Sequence, residues 1–358
     1  MRIAIYSPYL DTFGGGEKYM MTIAETFKQD KVDVLLDRHL EDIGAEYLKN
    51  ELSNRFEINL DSTNFIKAPI EKASNFFDRF FFLKNYDVLF YLTDGSIFYP
   101  TAKKNILHIQ SPLKGQPSQS RWGKIKLKGW NLIIYNSEFT KKNSLNNWPL
   151  VSQVIYPPVD IEKIKPLVKR KYILSVGRFF GYLRDKKQEI MIKVFKDLYQ
   201  DKKIDGWSLH LVGVASKGDQ SYLRKLRSLS KELPINFYPN LEYNALMTLY
   251  GQSSIYWHAS GYKEKDPTKM EHFGISTVEA MAGGSVPVVA NCGGQTEIVE
   301  NGKSGFLWNS LQELEEFTTL LIKDQNLRSK LSQQAVLASH RFSKIRFQTE
   351  INKLLKDL

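Results

Sequence analysis

The sequence predicts an α/β protein made of two doubly wound, parallel-sheet domains. Three observations predict it. Short apolar runs recur in a strand–turn–helix rhythm in both halves. Two consecutive prolines, Pro157 and Pro158, interrupt that rhythm near the middle. The chain has 358 residues, more than one ordinary core holds, so two domains are the default.

The elements follow in order. Arg2–Tyr6 is a short apolar run, and a loop ending in Gly14, Gly15 and Gly16 follows it. Residues 17–28 place Tyr19, Met20, Ile23, Ala24 and Phe27 at helical spacing, and 32–36 is the next apolar run. Strand, glycine turn, helix and strand form a βαβ unit, which implies a parallel sheet. Further strands are expected at Val88–Leu92, 105–109 and 132–136. Pro157-Pro158 ends this half, because proline interrupts ladders and helices alike. A second series begins with a strand at 172–176 and a helix at 187–199. Strands at 208–212, 235–237 and 255–258 follow, then a helix from Ser276 and the buried run Val286–Ala290. The expected domains are 1–160 and 161–340, with a terminal helix at 341–358. Ligands of such sheets bind beyond the carboxyl ends of the strands.

Apolar residues make up 42% and charged residues 25%, a soluble globular balance. No run approaches the roughly 18 apolar residues of a membrane span. The first residues read as a strand, not a signal peptide. A lone Cys292 excludes an internal disulfide framework and suits a reducing cytoplasm. The net charge of +11 favours anionic partners. Between residues 101 and 150 nine Lys/Arg face one acid, 9 − 1 = +8, centred on Arg121-Trp-Gly-Lys-Ile-Lys-Leu-Lys-Gly-Trp130. Two readings stand there: a surface meeting anionic lipid headgroups, and an ordinary solvated basic edge. No nucleic-acid-binding motif accompanies the charge, so nucleic acid is not an expected partner. Phe76, Phe77, Phe80, Phe81 and Phe82 span too wide an arc for one helical stripe, so most belong to the core; an acceptor channel or a membrane contact is the alternative.

Residues 271–297 are the most informative stretch. Glu271 and Glu279 lie eight residues apart across a loop-to-helix junction. Phe273, Gly274 and Ile275 occupy that junction, where helix-terminal N–H groups face an anion. Gly293-Gly294 then permits a backbone course most residues resist. Ser276-Thr-Val-Glu279 also spells a capping box, a purely structural use of Glu279. Arg178 follows Gly177 at a strand end and Lys186 follows soon after; the alternative for both is plain surface charge. Gly14–Gly16 lacks the dinucleotide spacing, and only Asp37 approaches the required acidic position, so a nicotinamide enzyme is not expected. No Asp-x-Asp stands at a strand end, so no required metal and no cofactor are expected.

Residues 271–297 resemble the Glu-x7-Glu signature of the family 4 retaining glycosyltransferases, whose fold is GT-B. The chain departs from the usual pattern at His272 and Ser285, neither a charged position. Ser175-Val-Gly-Arg178 with Lys186, Phe13-Gly-Gly-Gly-Glu17 and Val154-Ile-Tyr-Pro-Pro-Val-Asp160 resemble other family stretches in the right order. The resemblance implies two Rossmann-like domains facing a cleft, the first for the acceptor and the second for the nucleotide sugar, with the last helix crossing back to the first domain. It implies that Arg178 and Lys186 meet the donor diphosphate, that Glu279 meets the ribose and Glu271 the transferred sugar. The N–H groups of Phe273, Gly274 and Ile275, with Gly15 and Gly16, would complete the donor cradle. His108 at a strand end would approach the sugar; its alternative is a satisfied core histidine. Asp94 and Ser96 are candidates for the acceptor, and His258 is left between structural and donor-side roles. The Gly-rich N-terminus with His108-Ile-Gln-Ser-Pro112 most resembles mannosyltransferases that extend lipid-linked oligosaccharides, which implies GDP-mannose and a glycan or lipid-linked acceptor. The location this implies is cytoplasmic, including the cytoplasmic face of a membrane. A sugar-nucleotide 2-epimerase or hydrolase of the same fold, and a non-catalytic glycan- or membrane-binding module, are the rival readings.

Overall fold

A computed structural model describes every residue except 72–73, 114–119, 145–147, 149 and 181–184. The chain divides into two compact units, Met1–Pro158 with Lys344–Leu358, and Val159–Ser343. No helix among the described residues is long and apolar enough to cross a membrane.

The first unit holds seven parallel strands: β1 (Arg2–Tyr6), β2 (Lys31–Leu36), β3 (Thr63–Lys67), β4 (Val88–Leu92), β5 (Lys104–Ile109), β6 (Leu132–Tyr135) and β7 (Val151–Val154). Their spatial order is β3-β2-β1-β4-β5-β6-β7. Alternation along β1 explains the two apolar layers. Ile3 and Ile5 join one buried cluster, and Ala4 and Tyr6 join the cluster on the other face. Helix Lys344–Asp357 packs on this unit, as expected of the terminal helix. It contributes Phe347, Ile351, Leu354 and Leu355 to the first cluster, with Phe347 edge-on to Tyr19 at 4.7 Å.

The second unit holds β8 (Arg170–Val176), β9 (Ser208–Gly213), β10 (Ile235–Pro239), β11 (Ser253–His258), β12 (Val286–Ala290) and β13 (Phe306–Trp308). All are parallel, in the order β10-β9-β8-β11-β12-β13. The predicted fold class, two doubly wound parallel sheets, is therefore what the chain adopts. In each sheet the order reverses once, between β1 and β4 and between β8 and β11. Those two points are where an open sheet leaves a crevice for ligands.

Three strands escaped the sequence reading: β3, β7 and β13. All lie at sheet edges and none has an unbroken buried run. The phenylalanine run also departs from expectation. It forms helix Phe76–Leu83, in which Leu83 alone is fully buried while Phe76, Phe77 and Phe81 are exposed.

Candidate functional site

The second unit's site is assembled at the switch point between β8 and β11. β8 ends at Val176, and the chain passes through Gly177 to Arg178. A Cβ on Gly177 would stand 2.8 Å from Lys186 Cγ, so the bare α-carbon makes room for the Lys186 stem to lie across the strand end. Lys186 Nζ then donates to Glu271 Oε2 at 2.5 Å. Its neighbour Lys187 turns away to Glu264 at 2.7 Å and Asp185 at 3.5 Å. Of the two adjacent lysines, Lys186 is the one that faces Glu271. Arg178 lies over the Phe180 ring at 5.6 Å, and among the described residues no carboxylate pairs with its guanidinium.

His258, the last residue of β11, places Nε2 3.2 Å from the same Glu271 oxygen. Burial opposes ionisation of Glu271, but Lys186 and His258 outweigh it and hold the carboxyl well below its usual range. Burial pulls His258 below its ordinary value against the opposing pull of Glu271. At neutral pH the carboxylate accepts from both, which puts the proton of neutral His258 on Nε2.

Helix Ile275–Ala282 carries the second carboxylate. It begins one residue before Ser276 and its N-cap is Gly274, so Ser276 and Glu279 do not form a capping box. Ser276 Oγ instead accepts from Tyr256 at 2.8 Å, and Glu279 Oε2 accepts from Tyr250 at 2.8 Å. Thr277 N and Val278 N donate to Gly274 O at 3.0 and 3.3 Å, so the helix-terminal N–H groups without an intrahelical acceptor are those of Ile275 and Ser276. Phe273 is anchored beneath them, its ring 5.3 Å from Phe342. The Gly293-Gly294 turn fixes the loop from behind. Gly294 N donates to Glu271 O at 2.8 Å, and a Cβ on Gly294 would lie 2.5 Å from Phe273 Cα. Fixed cations, an ionised carboxylate and helix-terminal N–H groups at a strand-end crevice suit a ligand with both phosphate and hydroxyl groups.

The first unit's switch point carries the other candidates. Gly15 and Gly16 are the opening residues of helix Gly15–Thr26 rather than loop, because Glu17 accepts from Gly14 N at 2.8 Å and starts the helix early. Gly16 abuts the Gln110 side chain, where an added Cβ would meet Oε1 at 2.6 Å. Asp94, after β4, accepts from Ser96 N at 2.9 Å, Ser96 Oγ at 2.7 Å and Tyr9 at 2.9 Å. Burial opposes its ionisation, yet these donors lower its pKa. Asp94 and Ser96 are exposed. His108 is fully buried; it stacks on Tyr19 at 3.9 Å and its Nδ1 meets Ile134 O at 3.2 Å. Burial lowers its pKa to about 3, so it is a neutral core residue in this arrangement. Among the described residues no three His, Cys, Asp or Glu side chains gather as a metal set.

Residues 159–337 match the family profile described as "Glycosyl transferases group 1". The chain belongs to this family. Curated relatives include a Dictyostelium discoideum protein named GDP-Man:Man(3)GlcNAc(2)-PP-Dol alpha-1,2-mannosyltransferase, 27% identical over 57% of this chain and 42% of its own length. The like-named Xenopus tropicalis protein is 24% identical over 97% of this chain and 85% of its own. The chain spans less than half the length of the Dictyostelium, human and mouse relatives, at 42%, 49% and 39%. Among solved structures, Anabaena HepE in complex with UDP superposes with TM-score 0.74 at 19% identity over 100% of both chains. A glycosyltransferase from Rickettsia africae gives 0.75 at 18% identity, over 99% of this chain and 98% of its own. These likenesses extend the GT-B fold over the whole chain.

Of the expected site residues, the structure gathers Lys186, Glu271 and the Gly274–Ile275 junction in the second unit, with Arg178 and Glu279 on the adjoining strand end and helix. Gly16 and Asp94 stand at the first unit's switch point. The sequence left His258 between structural and donor-side roles, and Tyr250 was not singled out. Tyr250 is 29 residues from Glu279 on a different helix, so nothing in local spacing signals the pair.

Proposed function

We propose that this chain transfers a mannosyl group from GDP-mannose to a hydroxyl of a glycan or lipid-linked acceptor, with retention at the anomeric carbon. The observation that carries the reading is the Lys186–Glu271–His258 cluster at the β8/β11 switch point, with Arg178 following β8 and pairing with no carboxylate among the described residues. The mannosyltransferases among the relatives support the donor and acceptor classes.

In this reading Arg178 and Lys186 take the diphosphate. The bond from C1 to the diphosphate oxygen breaks, and negative charge builds on the leaving phosphate beneath these cations. The acceptor oxygen attacks C1 from the same face. Its proton passes to the departing phosphate oxygen, which leaves as GDP. Glu271 orients the sugar hydroxyls, while Glu279, held by Tyr250, takes the ribose. Because Glu271 already holds Lys186, donor entry exchanges part of that ion pair for phosphate and hydroxyl contacts. Neither carboxylate needs to carry a proton, which accords with the depressed value of Glu271. A lipid-linked acceptor further implies that the enzyme works at a membrane surface.

Thermal shift with GDP-, UDP- and dTDP-sugars tests the donor. GDP-mannose at about 100 times its Kd adds roughly 2.7 kcal/mol to stability. Preference for a UDP-sugar overturns the base assignment. Glu271→Gln should abolish transfer while keeping the fold; full turnover in that variant overturns the site.

A further inference from the structure

Every exposed Phe and Trp among the described residues lies on two short helices of the first unit. Phe76, Phe77 and Phe81, exposed at 47%, 65% and 62%, lie on helix Phe76–Leu83. Trp122, exposed at 74%, lies on helix Arg121–Leu127 beside half-exposed Ile125. The two helices flank one segment, residues 98–101. From one side Thr101 Oγ1 donates to Phe80 O at 2.6 Å and Arg79 lies over the Phe98 ring at 5.3 Å. From the other, Trp130 Nε1 donates to Phe98 O at 3.1 Å, just past the end of the second helix.

Charge on the pair is as one-sided as exposure. Residues 76–84 and 121–128 carry Arg79, Lys84, Arg121, Lys124, Lys126 and Lys128 against Asp78, so 6 − 1 = +5. Of the earlier basic stretch, Lys114 lies outside the described residues. Arg79 is partly buried and donates to Glu71 O at 3.3 Å, which leaves Lys84, Arg121, Lys124, Lys126 and Lys128 as the outer cations. Exposed aromatic rings cost free energy in water, and such rings on two helices that also carry these cations match the boundary between lipid headgroups and acyl chains.

We propose that these two helices are the docking surface of this chain on an anionic bilayer, with Phe77, Phe81 and Trp122 entering the headgroup boundary and the lysines meeting lipid phosphates and carboxylates. The inference rests on the lipid-linked acceptor for its purpose, but its geometry is independent of the donor site. A second copy of the chain is the competing occupant. The charge argues against it, because a two-fold contact through this patch would set +5 against +5.

The test is sedimentation of the whole chain with phosphatidylcholine vesicles, with and without phosphatidylserine. The wild type should partition to the anionic vesicles and release as salt rises. Phe77→Ser with Phe81→Ser should lower partitioning at least tenfold at any salt. Lys124→Gln, Lys126→Gln and Lys128→Gln together should lower it by tenfold to about a hundredfold at low salt, since each interfacial cation is worth about 1 kcal/mol before screening. GDP-mannose binding, read by thermal shift on the same variants, should match wild type and certifies their folding. Unchanged partitioning of the Phe variant, or equal binding to neutral vesicles, overturns the proposal. Self-association of the wild type without lipid that Phe77→Ser abolishes assigns the patch to a second copy and also overturns it. If the wild type docks but binds no nucleotide sugar, the donor reading fails and the docking surface stands.

Discussion

Arg178→Ala separates catalysis from folding more cleanly than any other change in the site. Lys186 and Glu271 are partners, so removing either leaves the other half-buried without its counter-charge. Arg178 has no such partner among the described residues; its guanidinium lies only over Phe180. Losing a partly exposed cation–π contact of that kind costs about 1 kcal/mol. In a unit of this size that lowers Tm by about 2–4 °C at most. If Arg178 meets the leaving diphosphate, its removal withdraws one fixed charge from the transition state, worth roughly 2.7–4 kcal/mol, or about a hundredfold to a thousandfold in rate. The assay is steady-state transfer from GDP-mannose to a short soluble acceptor, with calorimetry on the same sample. The expected result is a kcat fall of at least about a hundredfold with Tm nearly unchanged. A variant that transfers at near wild-type rate refutes the placement of the diphosphate. A large Tm loss that accounts for the activity loss refutes the claim that Arg178 is free of structural duty.

Gly294→Ala should cost about 1–3 kcal/mol and most of the activity, because its Cβ would meet Phe273 Cα at 2.5 Å and His272 O at 2.6 Å; wild-type melting and turnover would refute the loop-locking role. Transfer should persist in excess EDTA, since in the proposed reading Arg178 and Lys186 supply the charge that a divalent ion would otherwise bring to the diphosphate; a complete loss restored by Mg²⁺ would end the metal-free mechanism. His108 and His210 have burial-lowered values of about 3 and about 4, so the unfolded chain binds protons there that the folded chain refuses. The stability they contribute is fully present above about pH 6.5 and falls as pH drops toward those values, by up to about 1.4 kcal/mol per pH unit for each; equal urea midpoints at about pH 7.5 and about pH 5 would contradict this.

The fold was legible wherever burial is two-sided. β1, β4 and β12 are buried along most or all of their length, and such runs show in the sequence without any partner being known. β3 reads Thr-Asn-Phe-Ile-Lys and β7 reads Val-Ser-Gln-Val, because an edge strand has one side to solvent and no need of continuous apolarity. The phenylalanine helix misled for a related reason. Apolar composition ordinarily implies burial, and Phe76, Phe77 and Phe81 break that inference. The break itself is the information, since it singles out one surface of the first unit.

The site was legible only as far as chain proximity extends. Glu271, the Gly274 junction and Glu279 are close in sequence, and their spacing announces them. What holds them does not. Lys169 shows why. Its Nζ donates to Gly251 O at 2.8 Å, Ser253 O at 2.8 Å and Gly283 O at 2.5 Å, although burial alone draws its value down to about 7. Gly251 lies in the last turn of helix Tyr243–Gln252 and Gly283 caps helix Ile275–Ala282, so one ammonium stands at the negative ends of two helices. Those are the helices that carry Tyr250 and Glu279, the donor and acceptor of the 2.8 Å bond beside the proposed ribose position. A lysine 110 residues upstream of Glu279 thus sets the relative placement of the two helices, and through them the direction in which Glu279 points. In the sequence Lys169 is one cation in the run Lys169-Arg-Lys171 and reads as solvated surface. Its three acceptors exist only once β8, β11 and both helices have packed, so no local pattern could have disclosed it.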